Sequence, residues 1–205
     1  FVMWMAAGFT MLEAGLVRAK NVSEIVTKNL GLYSIACVMY LVCGFALMYP
    51  SGGNGYLPDF GTTWFITMPG DEFVYDGEAS YAGASDFFFQ VVFVATAMSI
   101  ISGAVAERMK LVPFFLFAIV LTGFIYPIQG YWKWGEGWLD AIGYTDFAGS
   151  GVVHLCGAAA ALAAVIILGP RTGKYSKDGK ITPIAGANMP LAALGTFILW
   201  FGWFG

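Results

Sequence analysis

Residues 30–48 carry no charged side chain, and neither do residues 111–132. Runs of this length leave few choices, because about 20 apolar residues are what a helix needs to cross roughly 30 Å of hydrocarbon. Four further apolar segments accompany them: 1–17, interrupted by Glu13; 87–106; 147–168, which holds the only histidine; and 189–205. Hydrocarbon contains no water, so every backbone N–H and C=O must be paired within the segment, which selects helix. The ~10-residue alternation of a membrane barrel is missing. Composition agrees: the chain is 59% hydrophobic and 11% charged, with mean hydropathy +0.72, against about 25% charged in a soluble domain. The expected fold is an all-α, polytopic transmembrane helical bundle, with residues 1–205 as one transmembrane domain.

The placement of charge gives orientation. Arg18, Lys20 and Lys28 follow the first segment, Arg108 and Lys110 the third, and Arg171, Lys174, Lys177 and Lys180 the fifth. Nine of the ten basic residues thus lie in alternate loops, which the positive-inside rule assigns to the cytoplasm. The other loops carry Asp59, Asp71, Glu72, Asp76, Glu78, Glu136 and Asp140, with Lys133 as the one basic exception. The expected location is a multi-pass cell-membrane protein with its N-terminus outside. Five spans precede the sixth, so a second copy beginning there would be inverted, a common construction of transporters. The chain starts at Phe1 without an initiator Met, a basic n-region or a small-residue cleavage site. Both ends fall inside apolar runs, and the expectation is a domain truncated at both ends.

Several function classes are disfavoured. A net charge of −3 gives no electrostatic footprint for nucleic acid. Cys37, Cys43 and Cys156 lie in apolar runs at spacings that fit neither a disulfide framework nor a zinc site, and read as small packing residues. With one histidine, no cofactor motif and no metal-ligand cluster, no nucleophile, base and orienting group can be assembled, so an enzyme is not expected.

His154 lies seven residues into the fifth segment, about 10 Å below its outer end at 1.5 Å per residue. A titratable ring at that depth either lines a polar path or hydrogen-bonds a neighbouring helix for packing. Asp146 opens the same segment, where it can cap the helix and complement its dipole, or favour an approaching cation at the mouth. Phe89 and Phe93 share one helical face. Trp132, Trp134 and Trp138 sit at the outer end of the fourth segment, as an aromatic belt or, facing a mouth, as a cation-holding surface worth roughly 0.5–2 kcal/mol. Glu13 is within about a turn of Arg18 and reads as its ion-pair partner or as a contact to a neighbouring helix; Glu107 beside Arg108 reads the same way. Gly8, Gly15, Gly103 and the Gly157–Ala161 run permit close helix approach. The basic turn 173–180 reads as a topology signal or protein contact.

Several stretches together carry a family resemblance: Gly8-Phe9-Thr10-Met11-Leu12-Glu13-Ala14-Gly15 with Arg18, Lys20 and Asn21; Phe89-Gln90 with Phe93; Gly103-Ala104 with Ala106-Glu107-Arg108; Tyr126-Pro127 through Trp134-Gly135; Asp146-Phe147-Ala148-Gly149 with Val152-Val153-His154; and Trp203-Phe204-Gly205. In this order, over nearly the whole chain, they resemble the helices of ammonium transporters of the Amt/Mep class. The resemblance implies the ammonium-transporter fold, with a first inverted repeat of five helices plus the start of the second, assembled as a homotrimer with one pore per subunit. It implies ammonium or ammonia as substrate, the lipid bilayer as surroundings, a possible cytoplasmic regulatory protein as partner, and no cofactor or metal. By the same resemblance Trp134 recruits ammonium, Phe89 helps form the vestibule, Phe93 is the outer phenyl gate, and Gln90 sits beside them. Asp146 is the supporting buried carboxylate and His154 the first of twin pore histidines. The second gate Phe and second His would lie beyond Gly205. A sensor on the same fold and a non-conducting remnant are the alternatives.

Overall fold

The computed structural model describes residues 1–60, 73–76 and 79–205, the strand residues 73–76, 79 and 80 by their backbone. Six helices follow the apolar segments: α1 Trp4–Leu16, α2 Ala19–Met48, α3 Gly83–Val105, α4 Leu111–Tyr131, α5 Ser150–Leu168 and α6 Met189–Gly202. Helices α2 to α5 are each long and apolar enough to cross a membrane. Between α2 and α3 lies a feature the all-helical expectation did not contain, an antiparallel hairpin pairing Phe73–Asp76 with Ala79–Ala82. Asp71, Glu72 and Glu78, counted among the acidic loop residues, lie outside the described residues.

Helix α3 is the centre. Most of it is buried, including Val94, Ala97, Met98 and Ile101, with α2 and α5 packed against it. Small residues set how closely the other helices approach. A Cβ on Gly8 would lie 2.5 Å from the Leu199 backbone nitrogen, and one on Gly15 would lie 2.5 Å from the Asn188 carbonyl oxygen, so α1 and α6 meet backbone to backbone. A Cβ on Gly157 would sit 2.8 Å from the Ala97 carbonyl, which brings α5 onto α3 in the same way. Gly103 differs: a Cβ there would lie 3.6 Å from Glu13 Cγ, an ordinary contact. Asn188 caps α6 by accepting the Leu191 N–H at 2.9 Å.

Three of the helices contain a widened π turn: Tyr40–Gly44 in α2, Leu121–Ile125 in α4 and Ser150–Leu155 at the start of α5. The first two face each other, and the Cys43 thiol reaches the Gly123 carbonyl at 3.4 Å. Such turns leave carbonyls short of their usual helical partner. Gln129 of α4 uses this at α5, donating to the Val152 carbonyl at 2.7 Å.

The helix ends that carry most basic residues are held by ion pairs to neighbouring helices, the second of the two readings of Glu13 and Glu107. Glu13 does not pair with Arg18. It is buried, with Oε2 3.4 Å from Lys28 Nζ and accepting Ser102 Oγ at 2.7 Å, which joins α1, α2 and α3. Glu107 does not pair with Arg108. It accepts from the Arg18 backbone N–H and Nε, both at 3.0 Å, and from the Asn21 amide, and lies 3.4 Å from Arg171. Sequence neighbours at a helix end project around different faces, whereas the chain reversal brings distant partners opposite each other. Glu107 takes a left-handed φ of 60°, a conformation disfavoured for a residue with a Cβ, and it turns the carboxylate back over the α1–α2 junction. Burial alone would raise the Glu107 carboxyl. The hydrogen bonds from Asn21 and Arg18 and the Arg18 charge outweigh that and hold its pKa below the ordinary carboxylate value.

Candidate functional site

Trp134 lies just beyond the end of α4, where its N–H bonds the Gly130 carbonyl at 2.9 Å and fixes the turn. Its indole Nε1 donates to the Asp146 carbonyl oxygen at 2.7 Å. The ring meets Phe93 edge-on, with centroids 5.8 Å apart, and Phe93 meets Phe89 edge-on at 4.9 Å. The expected spacing on α3 therefore produces a continuous aromatic wall from the C-terminal end of α4 to α3. Edge contacts of this kind are worth about 0.5–1.5 kcal/mol each beyond area burial.

The three tryptophans do not act alike. Trp132 donates to the Tyr56 carbonyl at 2.8 Å, and Trp138 stacks on the Tyr56 ring at 5.5 Å, so these two fasten the 49–60 loop to the end of α4. Lys133, the basic exception in its loop, pairs with Asp140. Only Trp134 of the three turns toward Phe93.

Asp146 was expected to open α5, but the helix starts at Ser150 and residues 146–149 form a turn ahead of it. Gly149, at φ 84°, makes that turn, and a Cβ there would come within 3.2 Å of the Trp134 ring. The capping function is carried from this turn. Asp146 Oδ1 accepts the N–H of Gly149 and Ser150 at 2.8 and 2.9 Å, and Oδ2 accepts those of Gly151 and Val152, both at 2.8 Å. The carboxylate is buried, and both oxygens are engaged by the donors that a helix start leaves without partners. The sequence reading quoted Gly149 only within the family motif and did not give it this turn; Asp-x-x-Gly before an apolar run is a turn signal that could have done so.

His154 is four residues into α5, about 6 Å along the helix at 1.5 Å per residue, shallower than the expected position because the helix begins later. It belongs to the π turn, its N–H bonding the Gly149 carbonyl at 3.0 Å. The half-buried ring meets Trp203 edge-on at 6.2 Å and, among the described residues, makes no hydrogen bond. The packing bond weighed above is therefore not what holds it. Gln90 hydrogen-bonds Asp86, while its Oε1 is buried without a partner.

These elements define a class: a multi-pass helical membrane protein with an aromatic wall at one end of its bundle and a histidine in the helix behind it. The family model described as the Ammonium Transporter Family matches residues 1–205, and the chain belongs to that family. It is 45% identical over 216 residues to the ammonium transporter Amt2 of Archaeoglobus fulgidus, covering 100% of this chain and 44% of that protein. It is 41% identical over 217 residues to the ammonium transporter Amt1 of Haloferax mediterranei, covering 100% of this chain and 40% of that protein. Among solved structures, the Sensor Amt Protein superposes with TM-score 0.85 at 37% identity, over 99% of this chain and 50% of that one. Candida albicans Mep2 superposes with TM-score 0.80 at 27% identity, over 99% and 44%. The chain thus spans about half the length of the relatives it matches.

Proposed function

We propose that the protein acts in membrane transport of ammonium, recruiting the ion outside at Trp134 and conducting ammonia past His154. The observation that carries this is the Trp134 ring, held by its indole N–H on the Asp146 carbonyl and set against Phe93. A fixed aromatic face attracts a small cation by roughly 0.5–2 kcal/mol. Phe89 widens the wall and Phe93 is the outer gate, with Gln90 beside them. Asp146 supports Trp134 through its carbonyl rather than touching the ion. Carrying a bare ion through an apolar pore is too costly, so the ion gives up its proton near Phe93 and the neutral molecule continues along the histidine. The names of the relatives and the helix order support the substrate. In this reading residues 1–205 form one transmembrane domain, the N-terminus is outside, and the protein works as a homotrimer that a cytoplasmic regulatory protein can address. The test is ammonium-driven current in the full-length protein carrying Trp134→Ala or His154→Ala. Both are expected to lower flux or selectivity at least tenfold, and unchanged current in both would sink the assignment.

Likeness to the Sensor Amt Protein favours a second reading, in which the same recruitment site reports ammonium to a cytoplasmic domain. An ammonium-dependent conformational signal without current in the unmodified protein would select it.

A further inference from the structure

Among the described residues, two that are not glycine take a left-handed backbone: Glu107 at φ 60° and Glu136 at φ 62°. A residue with a Cβ is disfavoured there and persists only where its surroundings over-determine it. For Glu107 the compensation is visible in its bonds to Arg18 and Asn21 and its approach to Arg171. Glu136 has nothing of this kind. It is exposed, and its side chain makes no hydrogen bond or ion pair among the described residues.

The turn Trp134-Gly135-Glu136-Gly137-Trp138 accounts for the bend but not for the glutamate. The Glu136 N–H reaches the Lys133 carbonyl at 3.3 Å. A Cβ on Gly135 would overlap the Met48 carbonyl oxygen, and one on Gly137 would lie 2.7 Å from the Gly55 carbonyl oxygen, so both glycines are required. A third glycine between them would adopt the left-handed conformation without strain. A carboxylate stands there instead, two residues along the chain from Trp134. The other charges of the segment are engaged. Lys133 pairs with Asp140, and Asp146 uses both oxygens on the N–H groups of residues 149–152. Glu136 is left as the uncompensated charge beside the aromatic wall.

We propose that Glu136 is an electrostatic steering residue for the Trp134 wall, concentrating a small monovalent cation before the ring receives it. This rests on the recruitment reading given above. Two residues span at most about 7 Å of backbone. At roughly 10 Å in water, one negative charge enriches a monovalent cation about twofold. The carboxylate acts through its field rather than as a ligand, so arrival changes and the later steps do not.

The test is ammonium-driven current in proteoliposomes of the full-length protein, followed against ammonium concentration in impermeant salt at about 10 mM and about 1 M. The reach of a surface charge falls from about 30 Å to about 3 Å between these conditions. At the lower salt, Glu136→Gln should raise the half-saturating concentration about twofold and keep the maximal current. At the higher salt it should match the wild type. Glu136→Asp keeps the charge, tolerates the left-handed region better, and should restore the wild-type value. Glu136→Gly should shift half-saturation as Glu136→Gln does, yet melt no lower than the wild type, because the strain is gone. Unchanged half-saturation in the Gln and Gly variants, or a shift that persists at high salt, would overturn the proposal. So would a Glu136→Gln protein that melts lower with half-saturation unchanged, which would mark a structural partner for the carboxylate. Trp134→Ala in the same assay separates the two readings. Loss of current there with no effect at Glu136 sinks steering alone, whereas unchanged current there removes the recruitment on which steering rests.

Discussion

At the residue scale, one carboxylate gathers partners from several helix ends. Glu107 sits in a left-handed conformation and collects Arg18, Asn21 and Arg171. Its pKa is lower in the folded protein than in the unfolded chain, where a glutamate titrates at about 4.3. The stability it contributes is therefore complete above that value and is lost as pH falls through the folded pKa, once the carboxyl is protonated. Thermal melts in detergent should show the wild type losing stability below about pH 4. Glu107→Gln should be less stable at pH 7 by about 1–3 kcal/mol, the effect of losing hydrogen bonds to a charged group whose cationic partners Arg18 and Arg171 stay partly in solvent. Over the acid range its melting temperature should change less than that of the wild type. An identical acid slope in the two proteins would refute the assignment. Of the two readings of Glu13 and Glu107, the pairs with nearby Arg18 and Arg108 do not form, and the contacts to neighbouring helices do. Arg18 lies close to Glu13 along the chain and Glu107 next to Arg108, yet the pairs form across helix ends that only the folded bundle brings together.

At the scale of elements, the spans were legible because charge is absent from them over lengths that hydrocarbon imposes. What was not legible is the π turn in each of α2, α4 and α5, since widening a helix by one residue leaves no mark on composition. A different feature, the turn at 146–149 with Gly149 at φ 84°, is why α5 was expected three residues too early and His154 too deep. Gly8 and Gly15 were legible as close-approach positions, but their partner α6 was not, because a glycine declares a near neighbour without naming it. Lys28 shows the reverse case. Counted as a loop cation, it is buried in α2 and sits between Glu13 and the Ser102 carbonyl, with the Phe114 ring 5.1 Å away. Lys28→Met should strand the Glu13 charge and cost about 3–5 kcal/mol, whereas Lys28→Met with Glu13→Gln should recover much of that loss. Additive losses in a double-mutant cycle of thermal melts would show that the two side chains do not interact.

At the scale of the whole molecule, four of the six described helices are long and apolar enough to cross a membrane, and nine of the ten basic residues fall in alternate connections along the sequence. An N-terminus outside places Ser51, exposed in the 49–60 loop, outside, and Ser176, exposed in the basic turn, within. In protein whose native cysteines are replaced by Ala, a membrane-impermeant maleimide should label Ser51→Cys on intact cells. It should label Ser176→Cys only after permeabilisation. The opposite pattern would reverse the orientation and with it the proposed direction of recruitment. Of the site, the sequence supplied the identities of Trp134, Phe93, Asp146 and His154 through the family resemblance. It did not supply the bond from Trp134 to the Asp146 carbonyl, because a backbone acceptor has no residue type to read.

That bond has a consequence for what the wall can hold. The indole has one proton to give, and it is already given to Asp146. The rings of Trp134, Phe93 and Phe89 therefore offer only electron-rich faces and no hydrogen to share. A solvated metal cation such as potassium arrives wanting oxygen lone pairs and finds none on these rings. A visitor that carries its own hydrogens outward can point them at the rings. If the wall recruits ammonium as proposed, discrimination there begins with which partner owns the protons, before size or charge is tested.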